Sequence, residues 1–290
     1  MSNFLQQLFN GLVAGSFYAL LALGLSVIFG MLKVVNFAHG VVYMLGAFGA
    51  YLLLDRLGLP FWVALPVVPA VLWLLGMAVE RVAVRRLARL DPIYNLLLTY
   101  GLALIIADVF RLLFGVSGEP YAAPPGLTGT IDLGLFNYPT YPVFVFGASI
   151  VTCLVVWFLL ARTRVGVIVR AATERPELSR ALGINVGRWV TPVFGFGIAL
   201  GGLAGVLAAP TRSVNPNMGI SVIILVFAAV VIGGLGSIFG SVVAGYAIGI
   251  IQSLGAVYVP VLSGVLVFIV MAAVLLVRPA GLFGREETAK

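Results

Sequence analysis

Charge is what this sequence has least of. Asp, Glu, Lys and Arg together make up 9% of its 290 residues, against 62% hydrophobic, and the mean hydropathy is +1.16. Soluble domains carry about a quarter charged residues. A fold this poor in charge cannot cover its own surface in water, so the sequence reads as an integral membrane protein. Cysteine is down to Cys153 and histidine to His39. A single cysteine excludes an intramolecular disulfide and, inside an apolar run, reads as packing. A single histidine leaves no metal-ligand cluster. No GxxxxGKS/T loop occurs, which excludes nucleotide hydrolysis by that route. The net charge of +7 is explained by membrane topology, with no nucleic-acid partner implied.

Acid inside the apolar runs is nearly absent too. Asp108 is the one carboxylate read as lying well inside a span, and Arg111, three residues on, can pair with it on one helix face. Ion-coupled transporters place carboxylates or histidines in the membrane. A structural Asp108–Arg111 pair is the reading here, with a proton relay as the alternative. Ser237, in the turn IGGLGSIFGS, superficially suggests a nucleophile. Neither it nor His39 has an evident orienting carboxylate, so no catalytic residue is assigned.

What is present is a series of long apolar runs. Nine reach spanning length, at 4–30, 37–54, 61–79, 93–114, 142–161, 189–209, 219–235, 239–257 and 260–277. Period-two alternation is missing, which excludes a barrel. The expectation is an all-α polytopic fold, one transmembrane domain over 1–290. Gly and Pro interruptions in the second, seventh and eighth runs leave eight or nine crossings, some broken or re-entrant. Met1 to Asn10 holds no Lys or Arg, so the first run reads as a retained helix and not as a secretory signal. Nine crossings with the N-terminus outside put fourteen of the seventeen basic residues on one side and only Arg56, Arg111 and Arg212 on the other. The positive-inside rule then predicts N-out and C-in.

Two connections are long. The outer one, 115–142, is rich in Gly, Pro and Tyr and reads as an irregular or hairpin-like cap, either a plain connection or a docking surface. The inner one, 162–188, reads RTRVGVIVRAATERPELSRALGINVGR. Pro176 suits a first helical turn and Gly183 the position past its end, giving a short helix over 177–182 with Leu178, Ala181 and Leu182 on one face. It can lie on lipid headgroups or be offered to a partner.

The remaining interior polarity is neutral. Asn36, His39 and Tyr43 open the second run, Asn95, Thr99 and Tyr100 the fourth, with Tyr94 beside them, and Gln252 lies in the eighth. These are the candidate translocation residues, suited to a neutral or zwitterionic solute with an apolar part. Discontinuous helix ends could hold its charged groups. Small residues recur at helix-packing spacing, as in GFGIALGGLAG (195–205) and at Gly233, Gly234, Gly236, Gly240 and Gly245, and close helix contact explains most of them.

Four blocks resemble one known family. GLVAGSFYALLALGLSVIFGMLKVVNFAHG (11–40), RTRVGVIVRAATERPELSRALGIN (162–185), VIGGLGSIFGSVVAGYAIG (231–249) and RPAGLFG (278–284) are similar, in family order, to branched-chain amino acid ABC importer permeases of the LivH type. The resemblance covers essentially the whole chain. It implies a bacterial inner-membrane subunit paired with a second homologous permease, two ABC ATPase subunits that hold the ATP and magnesium, and a periplasmic solute-binding protein. It also implies that Glu174, Arg175, Pro176, Glu177, Leu178, Ala181, Leu182 and Gly183 form the ATPase-coupling helix. The family handles leucine-like amino acids, urea, short amides or aromatic acids. An ion-coupled secondary transporter is the alternative function.

Overall fold

The computed structural model describes every residue except 1, 88–89, 133, 135, 175–178, 180, 182–185 and 285–290, and every side chain among the described residues except those of 2, 172–174 and 186. A chain in lipid must satisfy its backbone polar groups within each segment, and helices do so. Among the described residues ten longer ones follow in order: α1 Ser2–Leu32, α2 His39–Leu57, α3 Phe61–Val79, α4 Pro92–Phe114, α5 Thr140–Arg162, α6 Arg164–Glu174, α7 Val186–Ala208, α8 Met218–Gly233, α9 Ile238–Tyr258 and α10 Ser263–Val277. Helix α3 runs on through a π-helical turn, Glu80–Val84, and a last α turn, Arg85–Leu87. Among the described residues eight helices are long and apolar enough to cross a membrane, and α8 is a shorter apolar ninth of 16 residues. The molecule is an all-α polytopic membrane protein.

Helices α1 and α7 form the centre. Their apolar windows are 83% and 72% buried, against 17% for α4 and α5 and 6% for α10. Small residues make this possible, because missing side chains let backbones touch. A Cβ on Gly249 of α9 would stand 2.3 Å from the Gly11 carbonyl oxygen of α1, and one on Gly205 of α7 would stand 2.0 Å from that of Tyr43 on α2.

One end of the bundle carries most of the described arginines. Val27, Val169 and Val193 cluster there, joining the end of α1, the helix α6 and the start of α7. Thr163, extended between α5 and α6, caps α6 by accepting from the Gly166 amide at 3.4 Å. The turn between α8 and α9 lies at the same end. Gly234 (φ +102°) and Gly236 (φ +84°) shape it, and Gly233 packs backbone to backbone on Gly240. Residues after α10 close over this turn, with Leu282 N–H donating to the Ile232 carbonyl (2.8 Å) and Phe283 N–H to that of Gly233 (3.1 Å). Gly245 lies further along α9, against the backbone of Tyr18 and Ala19.

The opposite end carries an antiparallel hairpin, β1 Thr130–Asp132 and β2 Asn137–Pro139, with Ile131 opposite Tyr138. Tyr138 fixes it to the bundle. Its ring sits edge-on to Phe9 at 4.8 Å, and its hydroxyl donates to Asn10 Oδ1 at 2.5 Å. Burial pushes the Tyr121 and Tyr138 hydroxyls above the usual tyrosine value, so both stay protonated. Glu119 and Val214 exchange two backbone hydrogen bonds of 2.8 Å, tying the same connection to the segment before α8.

Candidate translocation site

Helix α2 begins halfway through the bundle. After α1 ends, Lys33 takes a left-handed conformation (φ +54°) and 34–38 are non-helical. Asn36 shapes the re-entry, its Oδ1 accepting from the Ala38 amide (3.1 Å) and its carbonyl from the His39 amide (3.2 Å). His39 then contacts the carbonyl of Leu21 through Nε2 at 3.1 Å. Leu21 lies eleven residues before the end of α1, which places the start of α2 roughly 16 Å inside that end at 1.5 Å per residue.

Helix α8 begins at the same depth from the other direction. A Cβ on Gly40 would stand 2.4 Å from the Gly219 carbonyl oxygen, so the first turns of α2 and α8 cross backbone to backbone. Two helix N-termini therefore meet in mid-bundle, each with orphan amides and a positive dipole end. This is the arrangement of discontinuous helices at the substrate sites of many transporters. Beside it a cleft opens between α2, α4 and α8, lined by Phe37, Val41, Tyr100, Ala103, Gly219 and Ile223.

The polar residues singled out from the sequence divide into two groups and one isolated residue. Asn36, Thr99 and Tyr100 gather around Phe37. Thr99 Oγ1 accepts from the Phe37 amide (3.2 Å) while donating to the Leu96 carbonyl, and the Tyr100 ring lies edge-on to Phe37 at 6.4 Å. Asn95 is one turn before Thr99 on the buried face of α4, and neither atom of its amide has a hydrogen-bond partner among the described residues. Tyr94 is exposed. Toward the hairpin end, the Tyr18 hydroxyl donates to Gln252 Oε1 at 2.6 Å, and Tyr43 is fully buried on α2.

His39 joins neither group. It is fully buried, and Cβ atoms on Gly24 and Gly201 would each stand about 3.0 Å from its ring. Because its Nε2 partner is a carbonyl, that nitrogen carries the proton and donates. Ser237 is likewise engaged locally, as the N-cap of α9 accepting from the Gly240 amide at 3.2 Å.

Of the eight coupling residues, Glu174 closes α6 and Ala181 is exposed. Arg175, Pro176, Glu177, Leu178, Leu182 and Gly183 lie outside the described residues, as does most of the helix expected over 177–182. Helix α6, directly before it, was not expected. Asp108 and Arg111 pair at 2.7 Å as their spacing predicts, and Arg111 also donates to Asn217 Oδ1 at 3.0 Å.

One sequence reading is corrected. Asp108 is not the only acid inside a span, because the third span continues to Leu87 and contains Glu80, with no exposed surface. Its Oε2 accepts from Thr191 Oγ1 at 2.6 Å, joining α3 to α7, while Oε1 has no partner among the described residues. The signal lay in spacing. Val68, Leu72, Gly76, Glu80 and Val84 form a stripe at four-residue spacing that is buried throughout. The apolar run ends at Val79, but the stripe does not.

Residues 7–275 match the family model described as the permease component of branched-chain amino acid transport systems. The chain is 32% identical to the high-affinity branched-chain amino acid transport system permease protein BraD of Pseudomonas aeruginosa, over 99% of this chain and 98% of that one. It is 31% identical to LivH of Escherichia coli K12, over 99% and 97%. Against a probable branched-chain amino acid transport permease protein LivH of Methanocaldococcus jannaschii the identity is 30%, over 95% and 91%. No solved structure matches the chain.

Proposed function

Because the chain belongs to the branched-chain amino acid transport permease family, we propose that it is one of two homologous membrane subunits of an ATP-binding-cassette importer. Its cargo is a branched-chain or other apolar amino acid, or a related small zwitterionic or amide solute, moved by alternating access. The observation that carries this reading is the near full-length match to transport permeases. The crossed starts of α2 and α8 beside neutral polar residues agree with it.

In this reading the chain binds no cofactor. ATP and magnesium sit on two ATPase subunits docked at the arginine-rich end, which faces the cytoplasm of a bacterial inner membrane. A periplasmic solute-binding protein docks at the hairpin end, where the N-terminus lies. Closure of the ATPases pushes on 174–183 and on α6, and α7, which begins beside Val169 at that end, carries the motion to the crossing at His39 and Gly40. Membrane lipid covers the outer faces of α4, α5 and α10.

Mass spectrometry of what co-purifies with the tagged chain in mild detergent tests the assembly. The expected result is two P-loop ATPases and a second permease, lost when Glu174→Arg is introduced or 176–183 is deleted. Recovery of the chain alone, with neighbouring genes co-expressed, would move the assignment to an ion-coupled secondary transporter. Glu80 is the observation that favours this second reading, since a sealed carboxyl group with one unpartnered oxygen suits ion coupling. Uptake abolished by a protonophore at constant ATP would then be expected.

A further inference from the structure

Helix α4 presents two unlike exposed surfaces. Ile105, Val109 and Leu112 lie opposite its buried Thr99, Ala103 and Ala107, and their side chains carry no polar atom, which suits lipid. The exposed Val265, Ile269, Leu276 and Val277 of α10 are apolar likewise. Tyr100, Leu104, Asp108 and Arg111, spaced four, four and three apart, share a different flank of α4 and are all exposed. That flank turns toward α8, because Leu104 lines the same cleft as Ile220 and Arg111 donates to Asn217 Oδ1 at 3.0 Å.

Lipid is a poor cover for this flank. The Asp108 and Arg111 side chains are 63% and 42% exposed although they pair at 2.7 Å. Asp108 stands six residues inside the end of α4, roughly 9 Å at 1.5 Å per residue. Ionisable groups within a span face protein or water. Tyr100 touches the Phe37 ring, and its hydroxyl makes no hydrogen bond among the described residues. The cleft beside Phe37, Tyr100 and Ile220 opens here too. Left to lipid, it would fill with acyl chains at the place where the starts of α2 and α8 cross.

The flank carries both signs of charge on adjacent turns. Such a patch is self-complementary about a two-fold axis. A subunit of the same fold, with an acid and a base at matching turns, would meet Arg111 with its carboxylate and Asp108 with its cation. We propose that this flank of α4, with the exposed Ile220 and Ile224 of α8, is the face on which the second, homologous permease subunit packs, sealing the cleft between the two. This rests on the importer reading above and adds the contact surface to it. The outer side of α4 stays in lipid.

The test uses the whole complex, with differently tagged permeases and the ATPases co-expressed. Photoreactive p-benzoylphenylalanine placed at Leu104 or at Ile224 should cross-link to the second permease, and the same group placed at Val155, exposed on α5, should not. Arg111→Glu should lower recovery of the second permease with the tagged chain about tenfold or more, because like charges then oppose each other across the interface. Asp108→Arg combined with Arg111→Glu restores the pair within α4 but not the match across the interface, so recovery should stay low. A single size-exclusion peak and an unchanged Tm for each tagged chain separate these effects from misfolding.

Cross-linking of the second permease at Val155 but at neither Leu104 nor Ile224 overturns the proposal. So does a Leu104 adduct formed with another copy of this chain alone, or with lipid alone. Full recovery with the double variant would confine the pair to α4, remove the charge match, and overturn it as well. An unaltered chain that recovers no second permease would instead remove the importer reading itself, and this face with it.

Discussion

Glu80 brings a carboxyl group into a packed interior where one of its two oxygens is satisfied by Thr191. Burying a polar group is tolerable when it is bonded and costly when its partner is removed. The π-helical turn that begins at Glu80 is the kind of local irregularity found where a helix re-aims a side chain. Glu80→Ala should therefore destabilise the protein by about 1–3 kcal/mol, leaving the Thr191 hydroxyl without its acceptor. Glu80→Gln retains an acceptor for that hydroxyl and should lose less. Melting of the detergent-solubilised chain reads the difference, and equal Tm values for the two variants would show the bond contributes nothing. Residues such as Glu80 and Tyr18 were hard to see in the sequence for one physical reason. Hydropathy reports how a residue would partition alone, and these two take their meaning from partners on other helices.

Apolar runs locate helices well when the whole run faces lipid or core, and α4, α5, α9 and α10 came close to their expected limits. Elements whose ends lie inside the bundle depart from that rule. The second run was read from residue 37, but α2 starts at His39 because Asn36 and Ala38 are spent on the re-entrant turn. Helix α6 is not legible as an apolar run because Arg164 and Arg170 break it, although Thr163 caps its start. The helices expected to approach closely through glycine do so, and the contacts differ in how little space they leave. At Gly205 a Cβ would meet the Tyr43 carbonyl oxygen at 2.0 Å, with the Ala47 amide nitrogen at 2.9 Å, and backbone cannot swing aside as a side chain can. At Gly101, on exposed α4, a Cβ would meet nothing within 4 Å. Gly205→Ala should accordingly lower stability by about 1–3 kcal/mol or more through forced separation of α2 and α7. Gly101→Ala should raise it by up to about 1 kcal/mol through helix propensity. Thermal melts of the two variants side by side check this, and a Gly205→Ala protein as stable as Gly101→Ala would contradict the α2–α7 packing.

At the scale of the whole molecule, the sequence could say membrane and many-spanning because lipid imposes both through composition alone. It could not say how the polar residues would meet. Those legible as candidates separated into one group around Phe37 and another around Tyr18, with His39 sealed between α1, α2 and α7. The proposal that the arginine-rich end faces the cytoplasm rests on charge. Lys33, Arg81, Arg85, Arg86, Arg162, Arg164, Arg170, Arg188 and Arg278 all flank helix ends on the side away from the hairpin, and translocating such loops is unfavourable. Labelling can test this directly, since Cys153 is the only native thiol. In a Cys153→Ser background, Thr130→Cys in the exposed hairpin strand should react with a membrane-impermeant maleimide in intact spheroplasts. Arg170→Cys, exposed on α6, should react only after the membrane is opened. The reverse pattern would invert the molecule and put the hairpin in the cytoplasm.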